Sequence, residues 1–299
     1  MSAKDFGLWA LLAWLWGSSF LAIDIGLENY DPLALVAGRM IIGAAVLAAF
    51  IYAKGVGLKL GPRGWLLATV LGLTGNVIPF FLISYAEQIV DSGLAALIMG
   101  IAPIVTLALA PLVHFEETLG PGKILGAAFG FGGIIVLVGP SAAAGLGGDL
   151  LPQMALIGAA LCYASTALIS RRFAYPNPLQ MAAASVLTGA VLITIVAAMS
   201  TPTFDLAEAP LPSSLAVLYL GLGPTALAAL IYFHLIPRIG AARLQQVNYV
   251  VPVLGTFLGM AVLAEQPAWT TWTAIPLILL GVYFVSRPDK ARNTPASLA

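Results

Sequence analysis

Charge is what this chain has least of. Lys and Arg together number 13, and Asp and Glu 13, in 299 residues. That is 9% of the chain, where an ordinary soluble domain carries about 25%. The two signs cancel, so no basic surface exists to draw nucleic acid, and none is expected as a partner. Cysteine is scarcer still. Cys162 is the only one, so no internal disulfide forms and no Cys pair exists to hold a metal. Histidine occurs twice. His114 stands in His-Phe-Glu-Glu without a second histidine at metal-ligand spacing, and His234 stands alone. There is no Gly-x-Ser-x-Gly and no P-loop lysine motif. No enzyme activity, metal or cofactor is therefore expected, and ATP is excluded as the direct energy source of this chain.

What the chain does have is apolar length. Hydrophobic residues make up 60% of it. A soluble fold of this composition exposes more apolar surface than water tolerates, so the surrounding solvent is read as lipid. Lys4 followed by an apolar run from Phe6 imitates a signal peptide. The run reaches Ile23, carries Trp9, Trp14 and Trp16, and lacks a small-x-small cleavage site, so it is read as the first span. Apolar stretches of about 20 residues cross a bilayer as helices. They fall at 6–25, 32–53, 64–86, 92–113, 119–139, 152–171, 179–199, 213–236, 241–263 and 269–286.

The sparse charges set an orientation. With the N-terminus in the cytoplasm, Lys4, Lys54, Lys59, Arg63, Lys123, Arg171, Arg172, Arg238, Arg243, Arg287, Lys290 and Arg292 all fall on that side. The outer loops hold Glu28, Asp31, Glu87, Asp91, Asp149, Asp205, Glu208 and Glu265, without Lys or Arg. This obeys the positive-inside rule and places both termini in the cytoplasm of a multi-pass inner-membrane protein. Arg39 alone falls within a span, shallow enough to snorkel to the outer interface or to pair with Asp24.

The chain also repeats itself. Pro103 and Pro252 differ by 252 − 103 = 149, and the same offset pairs Glu116 with Glu265, Gly72 with Gly221 and Gly132 with Gly281. Asp31-Pro32-Leu33 matches Asn177-Pro178-Leu179 at 146, as Gly43 matches Gly189, and Trp16 and Ser18 match Tyr163 and Ser165 at 147. Residues 1–140 thus predict one five-helix repeat and 141–287 a second, with 288–299 a disordered cytoplasmic tail. Five is odd, so the second repeat enters the membrane inverted. Inverted repeats are a recurring architecture of secondary transporters, with substrate bound near the midplane where the halves meet. The expected fold is all-α and integral to the membrane, ten transmembrane helices in a 5+5 inverted repeat around a central cavity.

This organisation carries a Trp-Gly-Ser-Ser run in the first helix (Trp16 to Ser19), an arginine in the second (Arg39), and Pro-x12-Glu in the fourth (Pro103 to Glu116), repeated from Pro252 to Glu265. It resembles the EamA branch of the drug/metabolite transporter superfamily from about residue 6 to 286. Within that branch it is similar to bacterial amino-acid exporters of the YddG type, which export aromatic amino acids. The resemblance implies that the first, third, fourth, sixth, eighth and ninth helices surround the cavity, with the fifth and tenth set aside.

Candidate substrate-binding residues on those six helices are Trp16, Ser19, Asn76, Tyr85, Met99, Tyr163, Thr166, His234, Gln245, Asn248 and Tyr249. Gln245 and Asn248 are three apart and share a helix face. Met99 is the positional mate of Asn248 (248 − 99 = 149). Aromatic rings with a few amides suit an uncharged or zwitterionic metabolite. The alternative for each residue is helix–helix adhesion or an interfacial aromatic belt. Pro79, Pro103 and Pro252 break their helices and are candidate hinges, with Arg39 a candidate gate; static kinks and a structural arginine are the alternatives. Glycines at four-residue spacing, Gly122, Gly126 and Gly130 and then Gly255 and Gly259, are read as close packing inside one chain, so a monomer is expected.

The expected function is a secondary transporter that exports amino acids, aromatic and bulky apolar ones preferred, or related small metabolites by alternating access. Multidrug efflux is the alternative, weakened by the lack of an evident membrane-embedded carboxylate. A non-transporting receptor or assembly subunit is the alternative of another class. With no obvious buried acid to carry a proton, downhill flux without an imposed proton gradient is expected.

Overall fold

The computed structural model describes residues 2–102, 104–106, 109, 121–143, 150–173, 177–200, 210–239 and 247–286, and among them there is no strand. The helices are α1 (Ala3–Leu27), α2 (Pro32–Ala53), α3 (Pro62–Gly72), α4 (Ile78–Ala86), α5 (Ser92–Met99), α6 (Pro121–Ala143), α7 (Leu150–Arg172), α8 (Pro178–Ser200), α9 (Leu211–Leu220), α10 (Ala228–Ile239), α11 (Val247–Val262) and α12 (Trp269–Ser286). Two π-helical segments, Leu73–Val77 and Gly221–Leu227, join α3 to α4 and α9 to α10, making each pair one rod with a widened turn.

Among the described residues six rods are long and apolar enough to cross a bilayer: Ala3–Leu27, Pro32–Ala53, Pro62–Ala86, Leu150–Ser170, Pro178–Ser200 and Leu211–Tyr232. Four further apolar helices, Ser92–Thr106, Ile124–Gly133, Val250–Val262 and Trp269–Gly281, are shorter. Large apolar side chains such as Leu66, Ile135, Val191, Met199 and Phe257 face outward. Only a hydrocarbon solvent makes that arrangement favourable.

Helix starts follow from local chemistry. Ser2 caps α1 by accepting from the Asp5 N–H at 3.1 Å. Asp31 caps α2, accepting from Leu33 N–H at 2.8 Å, with Pro32 in the first turn. Asn177 caps α8 in the same way, accepting from Leu179 N–H at 3.0 Å, with Pro178 in the first turn. A short polar cap satisfies an orphan amide, and proline is at ease where no amide donor is needed.

The rods pack as α2 on α8, α5 on α11 and α6 on α12, with α1 against α9, α10 and α11 and α7 against α4. Glycines bring the α2–α8 layer close to both π segments. A Cβ at Gly72 would overlap the Ser185 carbonyl oxygen, and one at Gly221 would lie 2.6 Å from Ile42. Gly43 faces Thr225 in the second π segment, and Gly189 faces Val77 in the first. The glycine stripes likewise make contacts within the chain. Gly255 of α11 abuts Ala96 of α5, and Gly281 of α12 abuts Gly126 and Gly130 of α6.

The structure departs from expectation in the fourth span. Its helix stops at Met99, turns at Gly100 and Ile101, and resumes at Ala102. The break precedes Pro103, which lies outside the described residues. It lies against α11, where Pro252 sits buried in a continuous helix with its Cγ 2.8 Å from where a Gly100 Cβ would be. Arg39 also differs. It is 2% exposed and does not reach the interface.

Candidate functional site

The two π segments carry polar side chains, Thr74 and Asn76 half-buried in the first and Thr225 buried in the second. A π turn leaves carbonyls imperfectly paired and often marks a functional position. Proline explains both breaks: Pro79 follows the first segment and Pro224 lies inside the second, each removing an amide donor. Thr166 of α7 donates to Thr74 Oγ1 at 2.7 Å, and Thr74 donates to Val70 O at 2.9 Å. On the other rod, Arg39 Nε donates to Thr225 Oγ1 at 3.2 Å, while its guanidinium lies 3.8 Å over the Phe80 ring. Hydrogen bond and cation–π contact together hold a charge that burial otherwise penalises.

The two ends of the bundle are clasped differently. At the acidic end, Glu265 accepts from Ser92 N–H at 2.7 Å, Ser92 Oγ at 2.6 Å and Gly93 N–H at 3.0 Å, so it caps α5 from the turn after α11. Ala264, at φ 55°, turns the chain back to aim that carboxylate. Asn29 Nδ2 donates to Ser213 Oγ at 2.8 Å, and Ser213 Oγ to Ile25 O at 3.0 Å. At the basic end, Arg238 Nε meets Asp5 Oδ1 at 2.8 Å, tying α1 to α10.

The predicted binding residues are distributed over several places. Trp16 lies with its ring 6.1 Å from that of Tyr232. Ser19 donates to Trp16 O at 2.7 Å. Asn76 is half-buried in the first π segment, and Thr166 is bonded to the same segment. Met99 is buried at the end of α5. Tyr163 is half-buried on α7 and is an electrostatic neighbour of Arg39. Tyr85 stacks on Phe81 and turns to an apolar groove of about 460 Å³ between α4 and α7, lined also by Leu82, Leu151 and Met154. His234 is exposed on α10. Gln245 lies outside the described residues, as do the side chains of Asn248 and Tyr249, whose backbones are in α11. Pro79 and Pro252 are buried. Trp16 and Tyr163 both pack against the hydrophobic cluster that contains Met99.

The expectation of no buried acid is corrected by Glu87. It follows the last residue of α4, is 5% exposed, and among the described residues neither carboxylate oxygen has a hydrogen-bond partner. Its place at a helix end suggested a solvated loop residue, but the neighbouring helices cover that end. Thr225 was also missed, although it is the positional mate of Asn76 (225 − 76 = 149).

A bundle that turns apolar faces outward and keeps buried polar groups at broken helices has the build of a membrane transporter. The EamA-like transporter family model matches residues 6–139 and again 150–287, and the chain belongs to this family. It is 28% identical to the inner membrane transporter YedA of Escherichia coli (strain K12) over 94% of this chain and 90% of that protein. It is 26% identical to a probable terminal-alkyne amino-acid exporter of Streptantibioticus cattleyicolor, over 97% and 96% of the two chains. It is 27% identical to a probable amino-acid metabolite efflux pump of Salmonella typhimurium, over 98% of each. A solved crystal structure superposes with a TM-score of 0.69 at 25% identity, covering 95% of this chain and 98% of that one. The protein is a multi-pass inner-membrane transporter acting on small molecules, and not an enzyme.

Proposed function

We propose that this transporter exports amino acids, aromatic and bulky apolar ones preferred, by alternating access between two inverted five-helix repeats, 1–140 and 141–287. The observation that carries the reading is the pair of π segments. Shifted by 149, residues 73–77 fall on 222–226, inside Gly221–Leu227. The twofold match of the family model and the mated caps Asp31 and Asn177 support the same division. The names of the exporter and efflux-pump relatives support the substrate class. In this reading the acidic end faces outward, both termini are cytoplasmic, the working unit is a monomer, and Pro79, Pro103, Pro252 and Arg39 serve the conformational cycle. An aromatic substrate packs on Trp16, Tyr163 and Met99, and its zwitterionic end meets Gln245 and Asn248.

The test is counterflow of labelled L-phenylalanine, L-leucine and L-aspartate in proteoliposomes. Phenylalanine and leucine should exchange and aspartate should not. Trp16→Ala should slow phenylalanine about tenfold, roughly 1.4 kcal/mol. Equal rates for all three, or an unaffected Trp16→Ala, would overturn the preference. The buried Glu87 carboxylate also favours a second reading, efflux of lipophilic cations. Ethidium extrusion without amino-acid counterflow would select it.

A further inference from the structure

We propose that Glu87 is the proton-binding group of this transporter, reached from the acidic end through Glu28 and Asp24, and that its protonation is coupled to the transport cycle. The inference rests on the transporter reading, though not on the substrate class. Three observations carry it.

The first is the state of the carboxylate. Both oxygens of Glu87 are buried without a partner among the described residues. An unpaired ionised carboxylate in such a place costs several kcal/mol, so the site must acquire a positive charge. Ser84, three residues earlier on the same helix face, is 0% exposed, and its hydroxyl is also unpartnered. Two orphaned polar groups therefore share one dry face of α4.

The second observation is what surrounds them. The charged groups facing Glu87 are Asp24 from α1, Arg39 from α2 and Glu265 from the turn after α11. Glu265 is already committed to Ser92 and Gly93. Arg39 is committed to Thr225 and Phe80, with Tyr163 of α7 as its other electrostatic neighbour. No described cation contacts Glu87. Among the described residues no group of acids, histidines or cysteines is placed to hold a metal ion. A proton needs only one carboxylate oxygen: an O–H bond forms, the charge falls from −1 to zero, and no other bond changes.

The third is a graded route. Glu28 is exposed at the end of α1, and Asp24, four residues earlier and on the same face, is half-buried. Glu87 is buried and has Asp24 as an electrostatic neighbour. Asp91 and Glu265 also act on Asp24. Glu28, Asp24 and Glu87 thus run from exposed to buried, with Arg39 an electrostatic neighbour of Glu87.

Full-length protein in phosphatidylethanolamine–phosphatidylglycerol liposomes provides two independent readouts. The first is the infrared difference spectrum between acid and alkaline buffer, which needs no substrate. Wild type should show a carboxylic-acid C=O band that Glu87→Gln removes and that Glu87→Asp and Asp24→Asn shift. The second is labelled phenylalanine efflux. An acid-outside pH step should accelerate it in wild type. Glu87→Gln should lose that acceleration while still exchanging labelled for unlabelled substrate. A band that survives Glu87→Gln, or a variant that keeps the acceleration, overturns the proposal. Loss of exchange together with the acceleration also overturns it, making Glu87 a substrate contact. If phenylalanine is not carried at all, the amino-acid reading fails and the infrared band alone decides Glu87. If Glu87→Gln does not fold, the Glu87→Asp and Asp24→Asn shifts decide it.

Discussion

Arg39 and Ser185 hold corresponding positions, 146 residues apart, in the two long helices that pack on one another. Each brings its backbone carbonyl close to a glycine of a broken rod, Arg39 at Gly221 and Ser185 at Gly72. The backbone arrangement is nearly the same in both, and the contents are not. Ser185 turns its hydroxyl to Ala182 O at 2.9 Å in its own helix. Arg39 reaches across to Thr225, with the buried Glu87 among its electrostatic neighbours. The mate of Glu87 at offset 149 is Ile236, and the mate of Asp24 at 147 is Arg171. The same glycine contact is made at both places, and only the one at Gly221 has a buried charged residue beside it.

The glycines give the largest expected effect. Gly72→Val drives a side chain into the Ser185 backbone carbonyl, which has no room to yield, and should destabilise by about 3 kcal/mol. Gly221→Val meets the Ile42 side chain, which can shift in part, and should cost less. Thermal unfolding in detergent ranks the two, and the reverse order would show that the Ser185 carbonyl yields more readily than the Ile42 side chain. The contents come next. Arg39→Met strands Thr225 and removes the charge-assisted bond, at about 2 kcal/mol. Ser185→Ala removes only a bond within its own helix and should stay within about 0.5 kcal/mol. Equal unfolding midpoints for these two variants would erase the asymmetry. The smallest effect is a gain at the clasp. Ala264 occupies the left-handed region at φ 55°, where a Cβ costs about 1 kcal/mol. Ala264→Gly should raise the unfolding midpoint slightly without loosening Glu265. A fall would mean that the alanine methyl packs usefully.

Much of this architecture was legible in the sequence. Apolar length located the rods, and the N-caps Asp31 and Asn177 announced two starts because capping is local chemistry. The glycine spacing anticipated contacts inside the chain. The π segments were not anticipated. Hydropathy averages over a turn and does not register one extra residue within it, although Pro79 and Pro224 mark both places. Glu87 was misread for a related reason: burial at a helix end depends on what other helices place over it. Arg39 was assigned the wrong destination, since Phe80 and Thr225 come from rods that sequence order does not bring near it.

The π turns have one more consequence. One residue added to a helix rotates everything beyond it by about 100° relative to an unbroken α-helix. The two portions of such a rod therefore show different faces to the bundle. Accordingly, α3 lies on α8 while α4, beyond the bulge, lies on α7. A straight helix with the same residues would ask one stripe to serve both neighbours. The bulge works as a fixed rotary coupling, letting a single membrane-crossing rod belong to two packing layers, and it places the joint between them at the depth where Thr74, Asn76 and Thr225 sit.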